Sequence, residues 1–562
     1  MLKVGIIGLG SHSEVVYSIL SETHDNIIFL SYGHGGKVVI PSTYHYQHLY
    51  MGDVVDYISS HKDENIEYIV AVGDNKLRKN IVMALPKNLK YVNAVSKQSF
   101  ISPNVELGVG NVICPGAIIQ TSCKIKDHCI LNTNCSIDHH TTIHSYVHVA
   151  PNCAICGNVT LYEGAFIGVG VSITPNIKVR AWFFYKANTL VKCTNSPIPI
   201  YVPYLKNSFK SAISAIESTW VSSQGEFLKM STKRLKDMLN VKHVLLVNNG
   251  TSATHCLLLA LKYKYPHVNR IYCPNSVYVA VYNTVLYEYD ISSISILKID
   301  SNTWNVKHNR EYWDTLETGS AVIVVHNLGN IMDVPLLKKW RPDLIFLEDN
   351  CEGLFGKYGN LYSGTCADTL CSSVSFFGNK TITSGEGGAV LTNDDDVYAY
   401  LSKVCNQGNS TIRYLHDVMG YNYRMTNIQA AILYDQLDDL DFILVNKGRV
   451  FDFYRKNINV KYQQILENNS VHSNWIFGVR IKGVSGYEEV ERHFSEHGIE
   501  TRPFFYPVNS HKHLNSIEYN DHTPAILKKE CFMLPSYPEL KLNELDYIVD
   551  VFNKLAEKYD SY

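Results

Sequence analysis

The chain has 562 residues, 46% of them hydrophobic and 19% charged, with a formal net charge of −2. That length implies three or four domains of ordinary globular composition. The near-neutral balance, without a basic run, argues against a nucleic-acid partner. The N-terminal apolar stretch Val4 to Leu9 is too short for a signal peptide or a membrane span. Fourteen cysteines without a secretory leader imply a reducing, cytoplasmic compartment.

In chain order, Lys3 to Leu9 reads as a buried strand, Gly8, Gly10 and Ser11 as a turn, and Glu14 to Leu20 as the first helix. Ile27 to Leu30 and Tyr68 to Val72 read as further strands. The turn approximates GxGxxG, but Ser13 stands at the third glycine and no acidic residue follows the second strand. A dinucleotide is therefore not expected, although the turn can still offer backbone N–H groups to a diphosphate. Residues 1–95 are assigned to this Rossmann-like domain.

From Ile101, every sixth residue through Val179 is Ile, Leu or Val, including Leu107, Ile113, Ile125, Ile137, Ile155 and Ile167. Four residues after most of these sits a second compact side chain, such as Ala117, Cys123, Cys129, Cys135 or Cys153. Asn111 and Phe183 break that position near the two ends. Neither helical nor strand periodicity explains a period of six. It fits a parallel β-helix of short strands, three hexads per coil, in which each aliphatic residue stacks on its counterpart eighteen residues later. The interior cysteines read as small hydrophobes rather than metal ligands.

Gly8 to Ser13, the run Gly73, Asp74, Asn75 with Arg78, and the hexads together resemble the sugar acyltransferases that acetylate the 4-amine of UDP-linked amino sugars, of the bacillosamine-pathway type. The resemblance covers roughly residues 1–195 and implies a left-handed, trimeric β-helix over residues 96–196 that uses acetyl-CoA. Acetyl transfer to an amine requires a base working near neutral pH, for which histidine is suited. By resemblance His139 is that base and Asp138 its neighbour. Asn132 and His148 line the same inter-subunit site, Gly157 contacts acetyl-CoA, and Gly8 and Gly10 bind substrate. Stacking places Gly157 one coil beyond His139, so no side chain should cover the imidazole there. A solvated surface role, or a metal site formed by His139, His140, His144 and His148, are the alternatives; no metal is expected. The family's Gly-Asn-Pro-Ala tail is absent, since Thr194 to Pro203 runs straight into the next region.

Residues 197–562 alternate apolar strands (Val244 to Val247, Ile271 to Cys273, Ala321 to His326, Leu344 to Leu347) with helical patterns, which predicts an α/β domain with a mostly parallel sheet. Lys380 lies between an apolar strand end, Ser375, Phe376, Phe377, and the glycine-rich turn Gly385 to Gly388, a place where a desolvated lysine can form a Schiff base. Asp349 ends a buried strand, where its carboxylate can pair with a pyridine nitrogen. Asn249, Gly250, Thr251 and Ser252 open a helix, a geometry suited to phosphate. Aldehyde anchor, ring-nitrogen partner and phosphate cradle together describe pyridoxal 5'-phosphate.

In this order the motifs resemble the DegT-type nucleotide-sugar aminotransferases, of PLP fold type I. Residues Glu217 to Phe227 and Phe376 to Gly388 are most similar to the perosamine synthase group. The resemblance implies that Lys380 anchors the cofactor and shuttles protons, that Asp349 holds the ring nitrogen, and that Tyr278 stacks on the ring. It further implies that Gly250, Thr251 and Ser375 bind phosphate, and that Asn422 reaches the cofactor phosphate of a partner subunit. Glu352 replaces the usual glutamine at the ring hydroxyl. Related dehydratases carry histidine in place of this lysine, so Lys380 indicates amino transfer.

The two halves point to one bifunctional enzyme that makes a 4-amine from an NDP-4-keto-6-deoxyhexose with L-glutamate as donor, and then acetylates it. Two readings stay open beside it: an aminotransferase whose N-terminal half only binds substrate and oligomerises, and a non-catalytic sugar-nucleotide sensor. The first resemblance favours a UDP carrier and the second GDP; a carrier shared by both halves favours UDP or dTDP. A trimeric β-helix and a dimeric aminotransferase are compatible with a homo-oligomer of D3 symmetry, a hexamer.

Overall fold

The computed structural model describes residues 3–32, 49–61, 65–191 and 198–559. The expected junction between residues 196 and 197, and residues 194–197 of the segment without the family tail, lie outside them. The chain divides into two compact units, one comprising Met1–Ile198 with Ser495–Ile499, the other Pro199–Phe494 with Glu500–Tyr562.

The first unit opens with a parallel sheet ordered Leu49–Asp53, Ile27–Ser31, Lys3–Ile7, Ile66–Val70. The helix Ser11–Leu20 leaves the tip of the first strand, and Gly8 adopts φ +119° at that turn. Ser13, the residue that breaks the glycine fingerprint, is buried and donates its hydroxyl to the Gly10 carbonyl at 2.6 Å. The turn is thus closed by a side chain.

Beyond it, two-residue strands stack into three parallel sheets, the left-handed β-helix. The register advances by eighteen residues, as in Ile125↔Ile143 and Ile137↔Ile155. The aliphatic hexad positions and Cys123, Cys129, Cys135 and Cys153 form one buried column. Corners recur at the same period with positive φ, from Ser122 and His128 through Asn134, His140 and Asn152 to Asn188. Asparagine tolerates this left-handed conformation better than most residues, so the hexads carry a corner signal as well as a core signal.

The second unit is built on a seven-stranded sheet ordered His243–Val247, Gly388–Thr392, Cys371–Ser375, Ile345–Asp349, Ala321–Val325, Ile271–Pro274, Ile294–Leu297. Only Gly388–Thr392 runs against the others. It follows the glycine-rich turn closely enough to fold straight back on Cys371–Ser375, which a helix crossover would not allow. A smaller antiparallel sheet joins Phe477–Arg480, Cys531–Leu534 and Arg502–Pro503. Among the described residues no helix is long and apolar enough to cross a membrane.

Candidate functional sites

In the β-helix, Ser136–Ile137 delivers Asp138, His139 and the corner residue His140 to the surface. The Asp138 carboxylate accepts the backbone N–H of His139 at 2.8 Å, while the His139 ring lies with Nδ1 3.1 Å from Nδ1 of His140. A Cβ on Gly157 would come within 2.5 Å of His139 Cε1. The space expected to stay open above the imidazole is therefore filled by the imidazole itself, and the glycine is what makes room for it.

Asn132 and His148 do meet, at 3.3 Å between Nδ2 and Nε2, and His148 Nδ1 lies 3.3 Å from the Gly73 carbonyl oxygen. They adjoin strands of a different sheet from the one that carries His139. One copy of the chain thus presents the pair and the base on separate faces. Behind the pair sits Arg78, 1% exposed, which donates to the carbonyls of Val72, His128 and Tyr146 and to Asn75 Oδ1. Burial and this guanidinium push the His12 imidazole down to about 4. Burial, Arg78 and His12 push His148 down to about 3. Both rings are neutral at physiological pH, and His12 Nε2 is buried without a hydrogen-bond partner. Among the described residues no group of three or more His, Cys, Asp or Glu could hold a metal ion.

In the second unit, Asp349 ends its strand beside Ser373 of the neighbouring parallel strand. Its carboxylate accepts the Cys351 N–H at 3.1 Å and the Ser373 hydroxyl at 3.4 Å. Two residues beyond Ser373, Ser375 faces Gly250 so closely that a Cβ there would sit 2.7 Å from the serine side chain. Gly250 opens the helix Gly250–Lys264, which is capped by Asn249. Its leading N–H groups make a cradle for an anion. The turn after Cys371–Ser375 carries Lys380, whose side chain is 15% exposed, with Nζ 3.9 Å from Glu352 Oε1. Glu352 Oε2 accepts the Leu328 N–H at 2.9 Å. Burial raises this carboxyl to about 7, against the opposing pull of the Lys380 ammonium.

Lys380, Asp349, Glu352, Gly250 and Ser375 are thus gathered within one region. Thr251 is exposed, Tyr278 is 61% exposed with Phe505 6.4 Å away, and Asn422 is exposed on a bridge to Asn406. The donor set suits pyridoxal phosphate: a cradle that only glycine leaves open, a carboxylate at a strand end and an enclosed amine.

Residues 204–553 match the DegT/DnrJ/EryC1/StrS aminotransferase family. The chain belongs to that family. Residues 3–85 of this DegT/DnrJ/EryC1/StrS chain match the PglD N-terminal domain. GDP-perosamine synthase of Escherichia coli O157:H7 is 35% identical over 364 residues, 64% of this chain and 98% of that protein. GDP-perosamine synthase of Vibrio cholerae is 32% identical, over 56% of this chain and 86% of that protein. Among solved structures, a GDP-4-keto-6-deoxymannose-3-dehydratase variant with bound GDP-perosamine aligns with a TM-score of 0.57 at 22% identity, over 64% of this chain and 100% of that one. Helicobacter pylori PseC, an aminotransferase involved in pseudoaminic acid biosynthesis, aligns at 0.56 and 21%, over 64% and 98%. These likenesses show a fold-type I aminotransferase fold.

Sequence reasoning about this family member passed over several residues that build the site. Trp475 and Tyr201 border the lysine and Lys447 backs them, yet none of the three has a motif around it. His12 lies inside the Gly8 to Ser13 turn, and its place beside Arg78 and His148 follows from tertiary packing that the turn motif does not signal.

Proposed function

We propose that the chain is a bifunctional nucleotide-sugar enzyme. Its second unit converts an NDP-4-keto-6-deoxyhexose to the 4-amino sugar with L-glutamate as donor, and its first unit acetylates that amine from acetyl-CoA. The product is an NDP-4-acetamido-4,6-dideoxyhexose. The enclosed Lys380 amine, beside the Asp349 strand end and the Gly250–Ser375 cradle, is the observation that carries the reading. Relatives named GDP-perosamine synthase support it.

Pyridoxal phosphate, when bound, supplies an electron-withdrawing ring that eases removal of a proton next to nitrogen. Gly250, Thr251 and Ser375 would hold its phosphate, Asp349 would pair with its ring nitrogen, and Glu352 would serve its hydroxyl. Tyr278 would stack on its ring, and Asn422 of a second copy would reach its phosphate. Lys380 would be its covalent anchor, and the lysine amine would hold and move the proton at the reacting carbon. In balance, the donor gives up nitrogen and three hydrogens and gains one oxygen to become a 2-oxo acid, and the sugar exchanges its ketone oxygen for that nitrogen and three hydrogens.

In the first unit, His139 takes a proton from the sugar amine as the nitrogen attacks the thioester carbonyl. The carbon–sulfur bond then breaks, and the proton leaves with the CoA thiol. Asp138 fixes the backbone of the base, and Gly157 seats its ring. Asn132 and His148, from the other face of a neighbouring copy, complete the site, with Gly8 and Gly10 at the nucleotide. A trimer through the β-helix and a dimer through the aminotransferase close as a hexamer of D3 symmetry; light scattering that reports a monomer defeats both interface sites.

A second reading, aminotransferase alone, is favoured by one observation: His139 is exposed, with Asp138 engaged by the backbone. Mass spectrometry decides between them. UDP-, dTDP- and GDP-linked 4-keto-6-deoxy sugars are incubated with glutamate and acetyl-CoA. Exchange of oxygen for NH₃ followed by an acetyl increment establishes both steps and the carrier. The first change alone leaves the aminotransferase, and no change refutes the proposal.

A further inference from the structure

The wall around Lys380 contains an aromatic residue outside every motif considered so far. Trp475, 5% exposed, precedes the strand Phe477–Arg480. Its Nε1–H donates to the carbonyl of Asn379, the residue before the lysine, at 2.8 Å. Its ring centroid lies 4.0 Å from Lys380 Nζ. The Tyr201 hydroxyl donates to the carbonyl of Lys380 itself at 2.6 Å, so two aromatic side chains hold the lysine's backbone on successive peptides.

The tryptophan is in turn held from behind. Lys447, 0% exposed, donates from Nζ to the carbonyls of Trp475 and Ser536, each at 2.9 Å. Burial lowers its amine to about 7. The indole is therefore fixed at its N–H, at its own backbone and by the buried cluster it shares with Leu328 and Phe504, and its ring is presented to the lysine amine. On a further side of that amine lies Glu352 Oε1, at 3.9 Å.

An ammonium within about 6 Å of an indole centroid is attracted by the ring's negative face, most strongly where water is excluded. A four-carbon stem with free rotors otherwise spreads its amine over several positions. If Lys380 is the covalent anchor, its amine is released once in each half of amino transfer and must then stay within proton-transfer reach of the reacting carbon. We propose that Trp475 is a positioning residue whose indole face, with Glu352 beside it, is the berth that receives the Lys380 amine whenever its covalent link is open. This rests on the aminotransferase reading for its purpose; its geometry is independent of it.

The test uses the full chain. Cofactor-free wild type, Trp475→Phe and Trp475→Leu are labelled with a trace of acetic anhydride at neutral pH, and Lys380 is compared with the other lysine peptides of the same digest. The expected result is labelling of Lys380 about threefold to tenfold faster in Trp475→Leu, the scale of a partly desolvated cation–π contact, with Trp475→Phe close to wild type. With cofactor restored, the half-reaction with glutamate slows by about tenfold in Trp475→Leu, with KM for glutamate within about twofold. Trp475→Phe, which keeps a face but loses the N–H, retains most of the rate. Wild-type labelling and rate in Trp475→Leu overturn the berth. So does equal impairment of both variants, which would assign the effect to the Asn379 hydrogen bond. If Trp475→Leu melts well below wild type, Trp475→Met, which refills the volume, is judged by the same criteria. Wild-type protein that binds no pyridoxal phosphate defeats the aminotransferase reading, while the labelling still decides the geometry.

Discussion

The two candidate sites are built in opposite ways. His139 stands on an exposed corner of a solenoid whose strands repeat every eighteen residues, and its immediate surroundings come from the adjacent coil: Gly157 beneath it and His140 beside it. Lys380 is enclosed by segments as distant in sequence as Tyr201, Leu328–Glu352 and Trp475. A repeat scaffold presents a reactive group cheaply but encloses it poorly, so its site must borrow walls from another copy. A crossed-over sheet desolvates its reactive group within one chain, and then needs further buried residues such as Lys447 to hold the enclosure together.

The sharpest way to break this comparison is to remove each reactive group alone. Lys380→Ala should lower amino transfer by about a thousandfold or more, since it removes both the covalent anchor and a proton-transfer group. Acetylation of a supplied 4-amino sugar should stay at the wild-type rate. His139→Ala should do the reverse, lowering acetyl transfer by about 10²–10⁴ and leaving amino transfer and, because the ring is exposed, stability within about 0.5 kcal/mol. Separate steady-state assays of the two half-activities check this. Loss of both activities in either variant would show that the units are not chemically independent.

What could be read in advance follows the same division. The solenoid was legible because each coil repeats one physical requirement, an aliphatic residue for the column and a tolerant residue at the corner. The aliphatic half was read and the left-handed corner half was not. Lys380, Asp349 and Gly250 were legible because each sits at the end of an apolar strand, where local pattern and chemistry coincide. Trp475, Tyr201 and Lys447 were not, since their roles come from tertiary approach and nothing within ten residues of them signals it. The antiparallel strand Gly388–Thr392 was missed for a related reason: an apolar run does not state its direction.

Gly157→Ala probes the solenoid site more gently. A Cβ at that position meets His139 Cε1 at 2.5 Å, so the ring must swing away from its seat. A displacement on the order of an ångström is enough to cost about a hundredfold in a positioned reaction. Acetyl transfer should fall by that order, amino transfer should not change, and the β-helix should melt as before because the exposed His139 ring can swing into solvent. A wild-type acetylation rate would mean that the ring is not seated on Gly157 during turnover.

The smallest effect tests the enclosure of the second site through pH. The folded protein holds the Glu352 proton up to about pH 7, against about 4.5 for the unfolded chain. The folded state therefore binds the proton more tightly. The associated stability is complete below about pH 4.5 and is lost as pH rises to about 7, by up to about 3 kcal/mol. In Glu352→Gln, cofactor-free protein should lose this fall, so that raising the pH from 5.5 to 8 shifts denaturant unfolding toward greater stability than it does in wild type. The solenoid cluster runs the other way: His12 and His148 are held neutral, with folded-state values of about 4 and about 3. Their contribution is present above about pH 6.5 and is lost as acid protonates the unfolded rings first. Both windows lie below about pH 7 with opposite slopes, so the Glu352 substitution should remove the fall with rising pH and leave the histidines' rise over the same range. A wild-type pH profile in that variant would mean that the carboxylate reaches water, and that Lys380 is less enclosed than its packing indicates.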